Sequence, residues 1–349
     1  MQSVPPSSAS DRVLALDAFR GFTMIMMVSG GFGLLQLKDI SWIAPIAYQF
    51  DHEPWEGLRF WDMIQPFFMF IVGTAMVWSF EKRWAKGEAW GESFRHVLKR
   101  SALLIFWGLV ARSIGAGRPV LDLINVLAQI AVTYPIAFLL LKKSWKVQIA
   151  AAVGLLVIHT AAYFAYGYPW LPGENLGEAI DRAVLGKNWG GHYATVNCIS
   201  SAANTIFGVV AGIWIRERQL KRLAIFGAIL IAAGLALSPW IPIIKKIWTA
   251  SFALTSAGIT IYALLLFWWL CEEKGWRMKL FIMVGANSIF IYLFHEILHR
   301  WLRQTAKIFT GWGTTYWPAP LLAFNDLVVV AFQIWVCVWL YRRKIFFKL

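Results

Sequence analysis

A histidine between two carboxylates, Asp51-His52-Glu53, stands in the short polar stretch DHEPWEGLRFWD, and apolar runs flank it on both sides. Carboxylates beside an imidazole can orient the ring and raise its basicity, which suits a general base near neutral pH. Asp62, at the start of the second run, is stabilised there by the helix dipole and lies within a few residues of the same loop. An isolated loop histidine usually carries no chemistry; the surroundings, Trp55 and Gly57 included, single out His52. Asp17 and Arg20 stand three apart on one face of the first run, where they can pair with each other or hold a ligand. Further on, GANSIFIYLFHEILHRWL puts Asn287 and Ser288 in an apolar interior, where a buried amide must face a partner helix or a cavity. The same segment holds His295-Glu296-Ile297-Leu298-His299, the HExxH pattern of zinc proteases. Zinc needs at least a third protein ligand, and only Asp326, in the next apolar run, is near enough to suggest itself.

The elements that must position these groups are membrane helices. The chain has 349 residues, is 59% hydrophobic and only 15% charged, and has a mean hydropathy of +0.58. These values lie outside the soluble range. A span takes about 20 apolar residues, which predicts about ten: 13-36, 60-80, 98-114, 121-141, 147-166, 198-216, 222-239, 247-270, 278-298 and 321-341. The expected fold is an all-α polytopic membrane helix bundle: a cytoplasmic tail over 1-12, then a single transmembrane domain over 13-349. The formal charge of +14 is not spread evenly. About 21 Lys and Arg fall on one side of this topology and about 11 on the other, so both termini are expected in the cytoplasm. That asymmetry argues for topology over nucleic-acid binding and leaves a basic inner face able to attract an anion. The first residues, MQSVPPSSASDR, lack the pattern of a signal peptide. Cys198, Cys271 and Cys337 show no disulfide or metal-ligand spacing and read as inert thiols. The segment 166-197, rich in Gly, Pro, aromatics and amides, suits an ordered cap over a site. No repeat and no inverted pair of interrupted helices is visible, which weighs against a transporter.

With these residues in view, the chain resembles the family of the heparan-alpha-glucosaminide N-acetyltransferases and their bacterial transmembrane glucosamine N-acetyltransferase relatives. The resemblance rests on LDAFRGF (16-22), HEPWEGLRFWDMIQPFFMFIVG (52-73), ISSAANTIFGVVAGIWIR (199-216), KKIWTASFALTSAG (245-258) and VGANSIFIYLFHEIL (284-298), in family order. It implies an enzyme that takes acetyl-CoA from the cytosol and acetylates the amine of a glucosamine across a bacterial inner membrane, with no metal. The family's catalytic histidine falls on His52, and its assisting asparagine late in the first helix falls on Ser29. The Gln-Arg pair of its fourth helix is Ala128 and Gln129 here, so Arg112 or Arg118 must replace the missing charge, or the acyl donor differs. Acetyl transfer to an amine needs a base, for which His52 is expected, and donors to the developing oxyanion, which Ser29, Asn287 or Ser288 could supply; the expected catalytic groups are His52, Ser29 and Asn287. Asp51, Trp55, Asp62 and His295 are the expected sugar contacts; Asp17, Arg20, Gln129 and Arg83 are the expected acetyl-CoA contacts. Amino sugar, acetyl-CoA and membrane lipid are the expected partners, with a homodimer left open and nucleic acid excluded. A polysaccharide O-acyltransferase, an amino-sugar transporter and an HExxH metalloprotease are the alternative readings.

Overall fold

The computed structural model describes residues 13–121, 123–186 and 191–347, so the tail over 1-12 and four positions of the 166-197 loop lie outside the described residues. Helices account for the architecture: α1 (Leu14–Val28), α2 (Ala44–Gln49), α3 (Ile64–Ala85), α4 (Trp90–Ala116), α5 (Val126–Leu140), α6 (Trp145–Tyr166), α7 (Leu176–Leu185), α8 (Asn197–Arg216), α9 (Leu220–Leu237), α10 (Ala250–Trp268), α11 (Lys279–Ala286), α12 (Ser288–Thr310) and α13 (Pro318–Arg342). Among the described residues six helical segments are individually long and apolar enough to cross a membrane: Phe60–Ala85, Trp145–Tyr166, Asn197–Arg216, Leu220–Leu237, Ala250–Glu273 and Pro318–Arg342. Two further spans are bent pairs, Leu14–Val28 with Gly30–Leu37 at 43° and Lys279–Ala286 with Ser288–Thr314 at 75°.

These bent pairs correct the expectation of unbroken runs over 13-36 and 278-298. The first break has a local cause: Gly31, Phe32 and Gly33 all take positive φ, which ends α1 and starts a tight 3-10 turn. Interrupted helices are therefore present, although no sequence repeat relates them. The expected spans over 98-114 and 121-141 correspond to α4 and α5. α5 is short, at 15 residues, and α4 carries more charge than an ordinary span.

Burial sorts the helices into layers. The most apolar windows of α8 and α3 are 83% and 78% buried, whereas those of α6 and α9 are 28% and 22% buried. An apolar helix left uncovered by protein is one that faces lipid, so α3, α8 and α10 form the centre and α6 and α9 the rim. The centre closes because backbones touch. A Cβ on Gly73 of α3 would sit 1.9 Å from the Thr205 carbonyl oxygen of α8, and one on Gly208 would sit 2.1 Å from that of Phe70. Small residues at a helix crossing allow this approach, and without a hydrophobic drive in lipid such packing holds membrane helices together. Between α8 and α10, Asn204 is fully buried; its Nδ2 donates to the Ala253 carbonyl and Ser256 Oγ, and its Oδ1 accepts from Trp248 Nε1 at 3.0 Å. That last bond fixes the loop before α10.

The helix ends separate into two faces. Reversals at 86–89, 141–144 and 217–219, together with the segments that follow α10 and α13, carry the basic clusters. The opposite face holds the loops 29–63, 117–125, 167–196, 238–249 and 311–317, and with them the His52 stretch.

Candidate active site

The residues around His52 form a braced loop between α2 and α3. Its turn depends on Gly57, at φ 136°, where a Cβ would lie 3.0 Å from Glu53 Cγ; only glycine takes that backbone without strain. The Gly57 N–H donates to the Ile243 carbonyl at 2.8 Å, and Arg59 Nε donates to Glu53 Oε2 at 2.7 Å. Trp55 Nε1 donates to the Trp170 carbonyl at 2.8 Å, and Trp170 Nε1 to that of Trp240 at 3.0 Å. Three loops distant in sequence thus hold one another.

Inside this brace Asp62 is 1% exposed and fully engaged. Its Oδ2 accepts the backbone N–H groups of Glu53 and Arg59, both at 3.1 Å. Its Oδ1 lies 2.8 Å from His52 Nδ1 and 3.4 Å from Lys245 Nζ. Lys245 Nζ is also 3.2 Å from His52 Nδ1. A carboxylate accepts and an ammonium donates, so the arrangement is consistent only if His52 Nδ1–H donates to Asp62 and Lys245 pairs with Asp62. Nε2 is then the basic nitrogen, and no described residue hydrogen-bonds it. Burial pushes the His52 ring below the ordinary histidine value, aided by the Lys245 charge and opposed by the Asp62 hydrogen bond. Burial likewise pulls Lys245 down to about 8, against the stabilising pull of Asp62. Tyr193 lies edge-on to the His52 ring at 6.2 Å, with Lys245 Nζ 5.5 Å from its own ring centre, and burial raises its hydroxyl well above the tyrosine norm. At neutral pH the site therefore presents a neutral, oriented imidazole, the state a general base requires.

His52, 43% accessible at its side chain, opens into a cavity of about 250 Å³ that Gln65, Arg112, Tyr193, Lys245 and Glu296 also line. A second cavity, of about 380 Å³, runs from the basic face between α1, α3, α4, α5 and α12. Its walls are mostly apolar, with Asp17, Arg20, Lys82 and Arg100 among the polar groups. Val126 and Tyr292 line both cavities. The two chambers thus meet at this pair of side chains, between the basic face and His52.

The structure brings some of the expected residues together and disperses others. His52 and Asp62 form the core of the site. Asp51 sits beside them at the surface, where its Oδ1 accepts the backbone N–H of His52 at 2.8 Å. Trp55 is spent on the Trp170 lock. Ser29 and Asn287 do not reach His52. Ser29 is 1% exposed; its Oγ donates to the Met26 carbonyl at 2.7 Å and accepts from the Gly31 N–H at 3.2 Å, so it caps the break after α1. Asn287 sits at the α11–α12 break near the basic face, where its Nδ2 donates to the Ile345 carbonyl and its Oδ1 accepts from the Phe347 N–H. Side chains at helix breaks satisfy orphaned backbone groups first, which is why both turn away from the cavity. His295 faces α13, its Nδ1 3.1 Å from Gln333 Oε1.

Of the expected donor contacts, Asp17 and Arg20 pair at 3.2 Å and line the second chamber. Gln129 instead accepts from Gln65 Nε2 at 2.5 Å, behind the His52 chamber. Arg83 pairs with Glu88 at 3.0 Å on the basic face, and its neighbour Lys82 lines the chamber. The HExxH pair, His295 and His299, has ring centres 4.5 Å apart. Asp326 is held by Arg303 at 2.8 Å, and no three His, Cys, Asp or Glu groups converge as metal ligands among the described residues.

Lys245 and Tyr193 are the groups that sequence reasoning missed. Lys245 opens the segment KKIWTASFALTSAG, which carries part of the resemblance with no role given to the lysine. The signal lies in the next few residues: Trp248 is fully buried, and Thr249 caps α10 by accepting from the Phe252 N–H. A lysine three residues before a buried anchor and four before a helix cap is held in place. Tyr193 was concealed among the aromatics of the 166-197 loop, where Asp181 Oδ2 accepts from the Thr195 N–H at 3.0 Å and lies 2.9 Å from His192 Nε2.

Residues 12–177 match the family model for heparan-alpha-glucosaminide N-acetyltransferase, catalytic. A Mus musculus protein named heparan-alpha-glucosaminide N-acetyltransferase is 24% identical over 98% of this chain and 61% of its own length. The Homo sapiens protein of the same name is 23% identical over 100% of this chain and 61% of its own length. The chain thus spans about 61% of the curated relatives it matches. The family resemblance drawn from the ordered motifs holds; His52 and Asp62 lie inside the matched stretch and Lys245 beyond it.

Proposed function

We propose that this chain, like the N-acetyltransferases it resembles, transfers an acetyl group from acetyl-CoA to the amine of glucosamine or a terminal glucosaminide, with His52 as base. The observation that carries the reading is the pair of chambers meeting at Val126 and Tyr292, one reaching the basic face and the other holding the His52–Asp62–Lys245 arrangement. A CoA nucleotide is polyanionic and suits the Lys and Arg of the basic face. Its thin, largely uncharged arm suits the apolar chamber, and the thioester would then lie near the junction. In this reading about ten helices span a bacterial inner membrane, both termini are cytoplasmic, and the acceptor comes from the opposite side.

The chemistry assigns each group one task. His52 Nε2 takes a proton as the amine nitrogen attacks the thioester carbonyl carbon; the new C–N bond forms, the C–S bond breaks, and the sulfur leaves with that proton returned from Nε2. Asp62 holds the ring and stabilises the imidazolium formed in passing. Lys245 keeps the resting imidazole neutral. Tyr292, which lines both chambers, is the hydroxyl we propose as donor to the oxyanion. Direct transfer in a ternary complex is the favoured course over an acetyl-histidine intermediate.

The test is to incubate the purified protein with acetyl-CoA and glucosamine and to compare His52→Ala. Loss of about 10²–10⁴ in rate is expected for removal of a general base; unchanged product formation in the variant would sink the assignment. Initial rates at varied concentrations of both substrates should give intersecting reciprocal plots, and parallel plots would favour the covalent course.

A further inference from the structure

Glu296 is the only carboxylate that lines the His52 chamber among its described lining residues. It lies four residues after Tyr292, so both project from one face of α12, the face along which the chambers run. The other acid of the site, Asp62, is already saturated by His52, Lys245 and two backbone N–H groups. Among the described residues no hydrogen bond or ion pair engages the Glu296 carboxylate. Arg112, across the chamber on α4, acts on it electrostatically. An ionisable group on an apolar membrane helix is costly and calls for a partner or a task. Its neighbours in the HExxH pattern do not supply one: His295 turns to Gln333 on α13.

We infer that Glu296 is the counter-charge for the acceptor, and that the chamber selects a cationic primary amine over the neutral hydroxyl compound of the same shape. This deepens the function proposed above and rests on it. The acceptor enters as an ammonium ion whose N–H groups donate to the Glu296 carboxylate, which holds it in the same small chamber as the His52 base. It releases one proton to solvent to become the neutral amine that attacks, and its second proton passes through His52 Nε2 to the leaving sulfur. An acid to which no described residue gives a hydrogen bond becomes the partner of the substrate, which a site built for hydroxyl acceptors would not need.

The experiment reads binding without any donor, on the full-length chain purified in detergent, by titration calorimetry with glucosamine and with glucose. The wild-type protein should bind glucosamine more tightly than glucose. Glu296→Gln should weaken glucosamine binding by about ten- to a hundredfold, the range of a charge-assisted hydrogen bond, and leave glucose unchanged. Glu296→Asp should keep a reduced preference for the amine. In the transfer assay Glu296→Gln should raise KM for glucosamine while KM for acetyl-CoA stays put, which a merely structural change would not do. Glucosamine binding equal in wild type and Glu296→Gln, or no tighter than glucose in wild type, overturns the inference. Absence of transfer to glucosamine by the wild-type protein would overturn the proposed function instead, and the binding comparison would still decide the role of Glu296.

Discussion

The two chambers that meet at Tyr292 differ in how densely charge is packed into their walls. The one reaching the basic face is roomy, about 380 Å³, with a mostly apolar wall and its charges in the minority; the one at His52 is smaller, about 250 Å³, and crowded with His52, Lys245, Arg112 and Glu296. An apolar wall supplies contact area without orienting anything, and it tolerates change in small steps. Buried charges behave differently, because in a low-dielectric setting each holds the next in a fixed protonation state and place. The comparison teaches where sensitivity should lie: one chamber tunes access, and the other fixes chemistry.

The sharpest way to break that contrast is Asp62→Asn. It turns one of the two acceptor oxygens into an NH2 donor, so either the His52 bond or the two backbone bonds are lost, and it removes the counter-charge of Lys245. We predict a fall in turnover of about 10²–10⁴, from a misoriented imidazole, and destabilisation of roughly 3–5 kcal/mol, the cost of leaving one member of a buried ion pair alone. Thermal unfolding and turnover measured together would decide it; a variant with normal melting and normal turnover would show that the charged chamber is as tolerant as the apolar one.

Next comes Lys245→Met. The folded His52 ring lies below the ordinary value, partly through the Lys245 charge, and its active neutral form disappears as pH falls through that folded value. Removing the charge raises the value, so the acid limb of the rate profile should move to higher pH, with a loss of about tenfold on its steep part for each unit moved. Above about pH 8, where Lys245 itself gives up its proton, the two proteins should converge. Superimposable profiles at low pH would show that Lys245 only braces the loop.

Ala75 of α3 lines the apolar chamber, and Ala75→Trp places an indole in the path. Overfilling costs about 1–3 kcal/mol, so KM for acetyl-CoA should rise by roughly tenfold while the rate at saturating donor and KM for the amine hold. A change confined to the amine would reverse the assignment of the two chambers. The smallest effect belongs to Trp55→Phe, which removes one hydrogen bond between loops. About 0.5–1.5 kcal/mol of stability should be lost, with turnover little altered.

Single residues show how much of the site was legible along the chain. His52 and Asp62 could be paired because they are ten apart in one loop and helix start, and local order set their meeting. The broken first helix was written in Gly30, Gly31 and Gly33 but read as part of one apolar run, since hydropathy does not register φ. Asn287 was assigned to the oxyanion on residue type and depth, and Ser29 because the resemblance puts the family's asparagine there; helix ends claimed both, because an orphaned backbone group is the nearest partner a short polar side chain meets. Lys245 was passed over because a lysine in a loop is ordinarily solvated.

By itself the sequence determined that this chain is a helical membrane protein with one basic side, and that a titratable loop lies at the other. Those properties follow from summed hydropathy and charge, which need no knowledge of packing. Only the tertiary structure decided that Lys245, 193 positions from His52, completes its hydrogen-bond set, and that Glu296 shares its chamber while His295 does not. Packing of α3 against α8, α8 against α10, and α12 along the chamber wall fixes those distances, and spacing along the chain carries no record of which helix faces meet.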